Sequence, residues 1–148
     1  MITEQQPGNY IPELYEVIQL IDKAESKEAV VEIVQKYGNR YSWFTDYLRC
    51  LFDEKIQFLL PPGRPPYTPS HEASYPLTWK KEHLKLGYWI KGMRGEDVNA
   101  IKRETMFINT LESIHPEDAL LIADMADKKA PARLTKEVVD TALPELIK

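Results

Sequence analysis

Residues 57–69 read QFLLPPGRPPYTP, a short apolar run that stops at two proline pairs with Gly63 and Arg64 between them. Proline fixes φ, donates no backbone hydrogen bond and pushes the residue before it out of the α region, so Leu60, Pro61, Arg64 and Pro65 are expected to be extended. No helix can pass through such a segment. Both flanks carry helical periodicity. The expected fold is therefore mainly α: a single compact domain of about six or seven helices with a central extended Pro-rich crossover.

Upstream of the crossover, residues 1–11 contain Pro7-Gly8 and little apolar periodicity, which predicts a loose N-terminal arm. Residues 12–53 form a helical N-terminal half. In the first helix Leu14, Val17, Ile18 and Ile21 share one face, and in the second Ser26 is an N-cap, Val30, Ile33, Val34 and Tyr37 line the face, and Gly38 is a left-handed stop. A third helix starts at Ser42 and carries Phe44, Tyr47, Leu48 and Leu51 on one side. Residues 54–75 are the crossover, in which 56–60 lie as an extended strip across the helices.

Residues 76–148 form a helical C-terminal half. Pro76 suits the first turn of a fourth helix reaching to Gly92 and Gly95, with one stripe of Leu77, Leu84 and Tyr88 and a second of Leu86, Trp89, Ile90 and Met93. A fifth helix is predicted from Glu96 or Asp97 through Ile101, Thr105, Ile108 and Leu111. Pro116, Glu117 and Asp118 open a sixth, followed by Ala119, Leu120, Ile122, Ala123 and Met125. Thr135 caps a seventh, with Leu134 placed to pack on Val139.

The composition is globular, with 43% hydrophobic and 28% charged residues. The single Cys50 cannot form an internal disulfide, and its apolar helical setting predicts a buried, inert thiol in a reducing compartment. No apolar run approaches the roughly 18–20 residues a bilayer-crossing helix needs, and residues 1–9 are polar, so the expected location is cytoplasmic, with no membrane partner. The formal charge of −4 is unevenly spread. Residues 79–103 hold seven bases (Lys80, Lys81, Lys85, Lys91, Arg94, Lys102 and Arg103) against Glu82, Glu96 and Asp97, whereas 104–127 hold six acids and no Lys or Arg. Those opposed patches would also allow a homodimer.

QFLLPPGRPPYTP at 57–69 and RETMFINTLESIHPEDALLIADMADKK at 103–129, in that order and followed by LTKEVVDTALPELI, resemble a family of small proteins of large myovirus-type bacteriophages, including phages of cyanobacteria. The resemblance covers nearly the whole chain, with least agreement over 1–10 and 79–95. It implies a phage gene product acting in the cytoplasm of a bacterial host. The family is one of unknown function and brings no catalytic residues, substrate or cofactor to carry over.

The residues themselves offer no catalytic motif. His71, His83 and His115 fall in no HExxH, His-x-His or Cys/His zinc pattern, and there is no GxxxxGK[ST], GxGxxG or GxSxG, so no catalytic, metal or cofactor site is assigned. Glu112, Glu117 and Asp118 read as helix-dipole compensation on a solvated face. Two binding readings remain. A rigid extended segment has little conformational entropy to lose on docking, which makes Arg64 and Tyr67 candidate partner-binding residues, against the alternative that 61–69 straps the helices with Phe58 and Tyr67 packed inward. Trp79, Lys80, Lys81, Lys85, Trp89, Lys91 and Arg94 mix stacking surfaces with phosphate-binding charges and are candidate nucleic-acid-binding residues. The expected role is a non-enzymatic phage accessory protein that binds a host or phage protein in replication, transcription or host-takeover machinery. A nucleic-acid-associated factor and a minor virion component are the alternatives.

Overall fold

The apolar stripes and caps become helices at the places their chemistry favours. In the computed structural model, which describes residues 10–148, these are α1 (Leu14–Lys23), α2 (Lys27–Gly38), α3 (Ser42–Phe52), α4 (Trp79–Glu82), α5 (Ala100–Ser113), α6 (Pro116–Ala126) and α7 (Lys136–Ala142). Tight 3-10 turns occupy His83–Tyr88 and Gly95–Asp97. The fold is mainly helical and a single compact domain, with no strand among the described residues. The expected loose arm falls almost wholly on residues 1–9, outside the described residues.

Helix α6 occupies the centre, against α1, α3 and α5, while α7 packs on α2. One apolar cluster therefore draws on both sides of the crossover: Leu14, Val17 and Ile21 from α1, Phe44, Tyr47 and Leu48 from α3, Ala119, Ile122 and Met125 from α6, and Val138 and Val139 from α7. Burial of side chains this large contributes about 1.5–3 kcal/mol each, which is what holds short helices that would be marginal alone.

The start signals act as their chemistry predicts. Ser26 Oγ accepts from the Ala29 N–H, Thr135 Oγ1 from the Val138 N–H, and Pro116 takes the first turn of α6. Gly38 differs from expectation. It is helical and not left-handed; a Cβ there would lie 2.4 Å from Leu143 Cδ1, so the glycine admits the residue that ends α7.

No helix or strand runs through residues 61–70, as the prolines require, and the crossover is tied down along its length. Leu59 N donates to Trp89 O and Lys91 N to Gln57 O, so the strip 57–59 finds its partner in the turn around Ile90 and not in a second strand. Gly63 (φ 86°) takes the left-handed backbone of the bend between the proline pairs. Its N–H donates to Asp127 Oδ1, Arg64 grips Asp124 through Nε and Nη2, both at 2.8 Å, and Thr68 N donates to Glu112 Oε2. Phe58 and Tyr67 pack against the core.

Two predicted helices are corrected. The fourth is a single turn, begun not at Pro76 but after Thr78, whose hydroxyl accepts from Lys80 N, and it tightens at once into the 3-10 turn. The helix is lost but its two stripes still part: Leu86, Trp89 and Ile90 of the second are buried, with Met93 the exception, while Leu77 and Leu84 of the first are exposed. The fifth helix starts only at Ala100, capped by Asn99, and its inner face is Phe107, Thr110 and Leu111. Ile101, placed on the apolar face by periodicity, points to solvent because Phe107, stacked edge-on at 5.1 Å against Trp89, sets the rotation of the helix.

Candidate interaction surface

Three glycines and two arginines shape residues 83–103. The 3-10 turn leaves Gly87 buried, and a Cβ there would meet Arg94 Nε at 2.9 Å, so glycine makes room for the arginine. Arg94 folds back on the turn: its N–H donates to Gly87 O, its Nη2 donates to Leu84 O at 2.8 Å, and the guanidinium lies 4.2 Å from the Tyr88 ring centroid. Gly92 turns the chain with φ 84°, and its N–H donates to the Glu96 carboxylate. Gly95 is packed so closely that a Cβ would stand 2.8 Å from Ile90 O. Arg103 then gathers the far side, donating to Gly95 O at 2.7 Å, Val98 O at 3.0 Å and Leu59 O at 3.4 Å. The two guanidiniums act as brackets that fix three successive turns.

What these turns present is apolar and basic. Leu84 is 69% exposed, Met93 59% and Ile101 79%, the largest exposures among the big hydrophobic side chains described. Lys81, Lys91 and Lys102, in the same stretch of chain, are exposed and without an ion pair to any described residue. Lys80 and Lys85 are spent internally, on Glu13 at 3.3 Å and on Glu82 at 2.8 Å.

The expectation that Trp79 and Trp89 offer stacking surfaces is corrected. Both are 0% exposed; Trp79 Nε1 donates to Trp43 O and Trp89 meets Phe107, so neither ring can receive a base. Of the aromatics in the segment only Tyr88 stays partly open, and Arg94 covers it. Arg64 and Tyr67 are likewise engaged within the molecule, Arg64 with Asp124 and Tyr67 against the core. Between the prolines and α5 a groove of about 350 Å³ is lined by Leu60, Arg64, Pro66, Glu104, Phe107 and Ile108, among others.

Sequence reasoning missed a buried polar cluster at the start of α6. Asp118, read as a solvated first-turn acid, is 1% exposed. Its Oδ1 accepts from the Tyr15 N–H at 2.7 Å, joining α6 to α1, while its Oδ2 is buried without a partner. Burial pushes this carboxyl up to about 7, against the Tyr15 N–H bond, which favours the charged form, and with the nearby charges of Glu13 and Glu16. His115 caps the same helix, accepting from Glu117 N at Nδ1, so its proton sits on Nε2. Its ring is stacked at 4.1 Å on Tyr15 and meets Tyr75 edge-on at 5.2 Å. Burial also raises the Tyr15 hydroxyl to about 12. A period-3.6 pattern assigns a helix face only relative to its neighbours, and α1 covers this end of α6 from a distant part of the chain. No sequence signal for that existed.

Cys50 is buried and its thiol is pushed up to about 12 by burial, which keeps it protonated. His83 is buried with Nδ1 2.7 Å from Asp46 Oδ2. No group of three or more His, Cys, Asp or Glu side chains able to hold a metal ion occurs among the described residues, and no helix described is long and apolar enough to cross a membrane.

A family model described as a family of unknown function (DUF6433) matches residues 17–131. The chain belongs to that family. No curated protein and no solved structure matches it. The span shared with DUF6433 takes in the crossover, the two-arginine segment and the whole of α6, and stops short of α7.

Proposed function

We propose that this DUF6433 protein is a non-enzymatic accessory protein of a bacteriophage, acting in the cytoplasm of the bacterial host by contact with another protein. The observation that carries the reading is the set Leu84, Met93 and Ile101, held out to solvent by turns that Arg94 and Arg103 fix from within. Scattered exposed apolar residues are ordinary, but these three are the most exposed of the described large hydrophobics and stand on a backbone that internal hydrogen bonds of Arg94 and Arg103 hold, so they are presented at little further conformational cost. The bacteriophage setting rests on the ordered motifs at 57–69 and 103–129. Partners in replication, transcription or takeover of host machinery fit a small binding protein of this kind, and a place in the virion is the alternative setting.

The test is affinity capture of the tagged chain from infected cells, in parallel with the double variant Leu84→Ser, Ile101→Ser. A reproducible partner captured by the natural chain and lost with the variant, at unchanged melting temperature, supports the reading. Capture indifferent to the variant ends it. Detection in purified particles would move the role to the virion.

Binding to nucleic acid is favoured by one observation only, the exposed lysines Lys81, Lys91 and Lys102, which pair with no described acid. It predicts a gel shift with short DNA or RNA at low salt that fades steeply as salt rises.

A further inference from the structure

We propose that the valley between α1 and α6 receives a basic amphipathic helix of another protein, its aliphatic side chains on Ile18, Leu120 and Leu121 and its lysines or arginines on Asp22 and Glu117. This face shares no residue with Leu84, Met93 and Ile101, so the inference goes beyond the reading above and stands or falls apart from it.

Two helical stripes make one groove. Tyr15, Ile18, Gln19 and Asp22 follow the i, i+3, i+4, i+7 spacing along α1, and Glu117, Leu120, Leu121 and Asp124 follow it along α6. Together they line a single groove of about 220 Å³. The Tyr15 N–H bond to Asp118 holds the starts of the two helices together.

The composition of α6 says that this face is made to be covered. A helix that is apolar on all sides belongs inside a protein. Ala119, Ile122 and Met125 are buried against their neighbours, yet the same helix turns Leu120, 43% exposed, toward solvent next to the half-buried Leu121.

Charge then decides the occupant. No Lys, Arg or His lines the groove. Asp124 is taken by Arg64, whereas the exposed side chains of Asp22 and Glu117 accept no hydrogen bond from any described residue. Arg133, which reaches the end of α1, is used on the carbonyls of Ile21, Asp22 and Ala24. Burial first, and then the carboxylates of Glu16, Glu117, Asp118 and Glu13, push the Tyr15 hydroxyl upward, so the field at this lining side chain is negative. A helix with leucine-like residues on one face and Lys or Arg beside them meets both the apolar floor and the acidic rim. The groove is smaller than the about 300–1,000 Å³ of ordinary small-molecule pockets, which favours the anchor side chains of a helix over a free organic ligand. Nucleic acid and anionic lipid are repelled by the same carboxylates.

The experiment measures fluorescence anisotropy of a labelled synthetic helix, leucine on one face and lysine beside it, titrated with the full chain. The same peptide with glutamate in place of lysine is the control. The expected result is binding of the lysine peptide alone, weakening as salt rises. It should fall about tenfold in Asp22→Asn, Glu117→Gln and in Leu120→Ser, and stay unchanged in Leu84→Ser, Ile101→Ser. Thermal melts beside the natural chain show that each variant is folded; should Leu120→Ser fail to fold, the neutralised pair, both exposed, decides alone. No binding of the lysine peptide, equal binding of the glutamate one, or binding indifferent to the neutralised pair overturns the inference. Self-association of the natural chain, read by sedimentation and dissolved by the same variants, also overturns it, because the occupant is then a second copy. Peptide binding lost only with Leu84→Ser, Ile101→Ser would overturn this inference and leave the protein-binding reading standing. Capture from infected cells indifferent to those serines ends that reading and leaves this groove untouched.

Discussion

The two ends of α6 treat a carboxylate in opposite ways. At the start, Asp118 is sealed beneath α1, with one oxygen on a backbone N–H and the other on nothing, and burial lifts its pKa to about 7. Further along the helix, Asp124 faces the crossover and accepts both arms of Arg64, whose guanidinium holds the carboxyl below its ordinary range. Two aspartates on one helix thus pull stability in opposite directions with pH. The lesson is that the charge run 104–127, uniform in sequence, is partitioned by what packs on it: one acid is a liability of burial, and Glu112, Asp124 and Asp127 are fasteners for a segment that prolines leave short of backbone donors.

The largest expected effect comes from removing the buried charge. A carboxyl whose folded pKa lies above its unfolded value of 3.8 contributes stability at low pH that is lost as pH rises through about 7. Asp118→Asn keeps the acceptor for Tyr15 N–H and removes the ionisation. It should raise stability by roughly 1–4 kcal/mol at pH 8, with the gain shrinking toward pH 4. Denaturant melts across that range check it; a natural chain no less stable at pH 8 than at pH 5 would contradict the burial argument.

At the other end the slope reverses. Asp124 has a lowered folded pKa, so its pairing stabilises above the ordinary carboxylate range and is lost as pH falls through that lowered value. Since the pair is partly exposed, Arg64→Ala should cost only about 0.5–1 kcal/mol at neutral pH and less at high salt. The difference between variant and natural chain should vanish in acid, whereas Asp118→Asn shows its difference only toward high pH.

Gly63 tests whether the strap is held by conformation as well as by charge. Its φ is 86°, and a Cβ added there would meet nothing within 4 Å, so Gly63→Ala should lose about 1 kcal/mol through backbone strain alone, measured as a fall in melting temperature. A neutral result would mean the strap's path relaxes without cost.

The smallest effect belongs to the exposed aliphatic side chains of residues 84–101. Leu84→Ser, Ile101→Ser should change unfolding free energy by no more than about 0.5 kcal/mol, because both side chains are already in water. A cooperative loss of stability there would show that the patch is structural.

Local chemistry fixed more of this molecule than pattern did. Proline geometry at 57–69, the Ser26, Thr135 and Pro116 start signals, and the apolar faces of α1, α3 and α6 follow from interactions that span a few residues, and they are legible in the chain. The candidate sites are not. Arg64 and Trp79 look available until Asp124 and Trp43, each far away in the chain, take them up. Gly95 is packed against the Ile90 carbonyl, and Gly38 and Gly87 lie against the side chains of Leu143 and Arg94, which spacing cannot register.

By itself, then, the sequence determined that helices form, where most of them start and that no helix can cross Leu60–Pro69, since sterics and caps act over neighbouring residues. The tertiary structure alone decided which side of α5 faces inward, which tryptophans are core, which aspartate has its pKa lifted by burial and which lysines are used inside the molecule. Burial and ion pairing depend on contacts between residues far apart in the chain, and those exist only once α6 is enclosed.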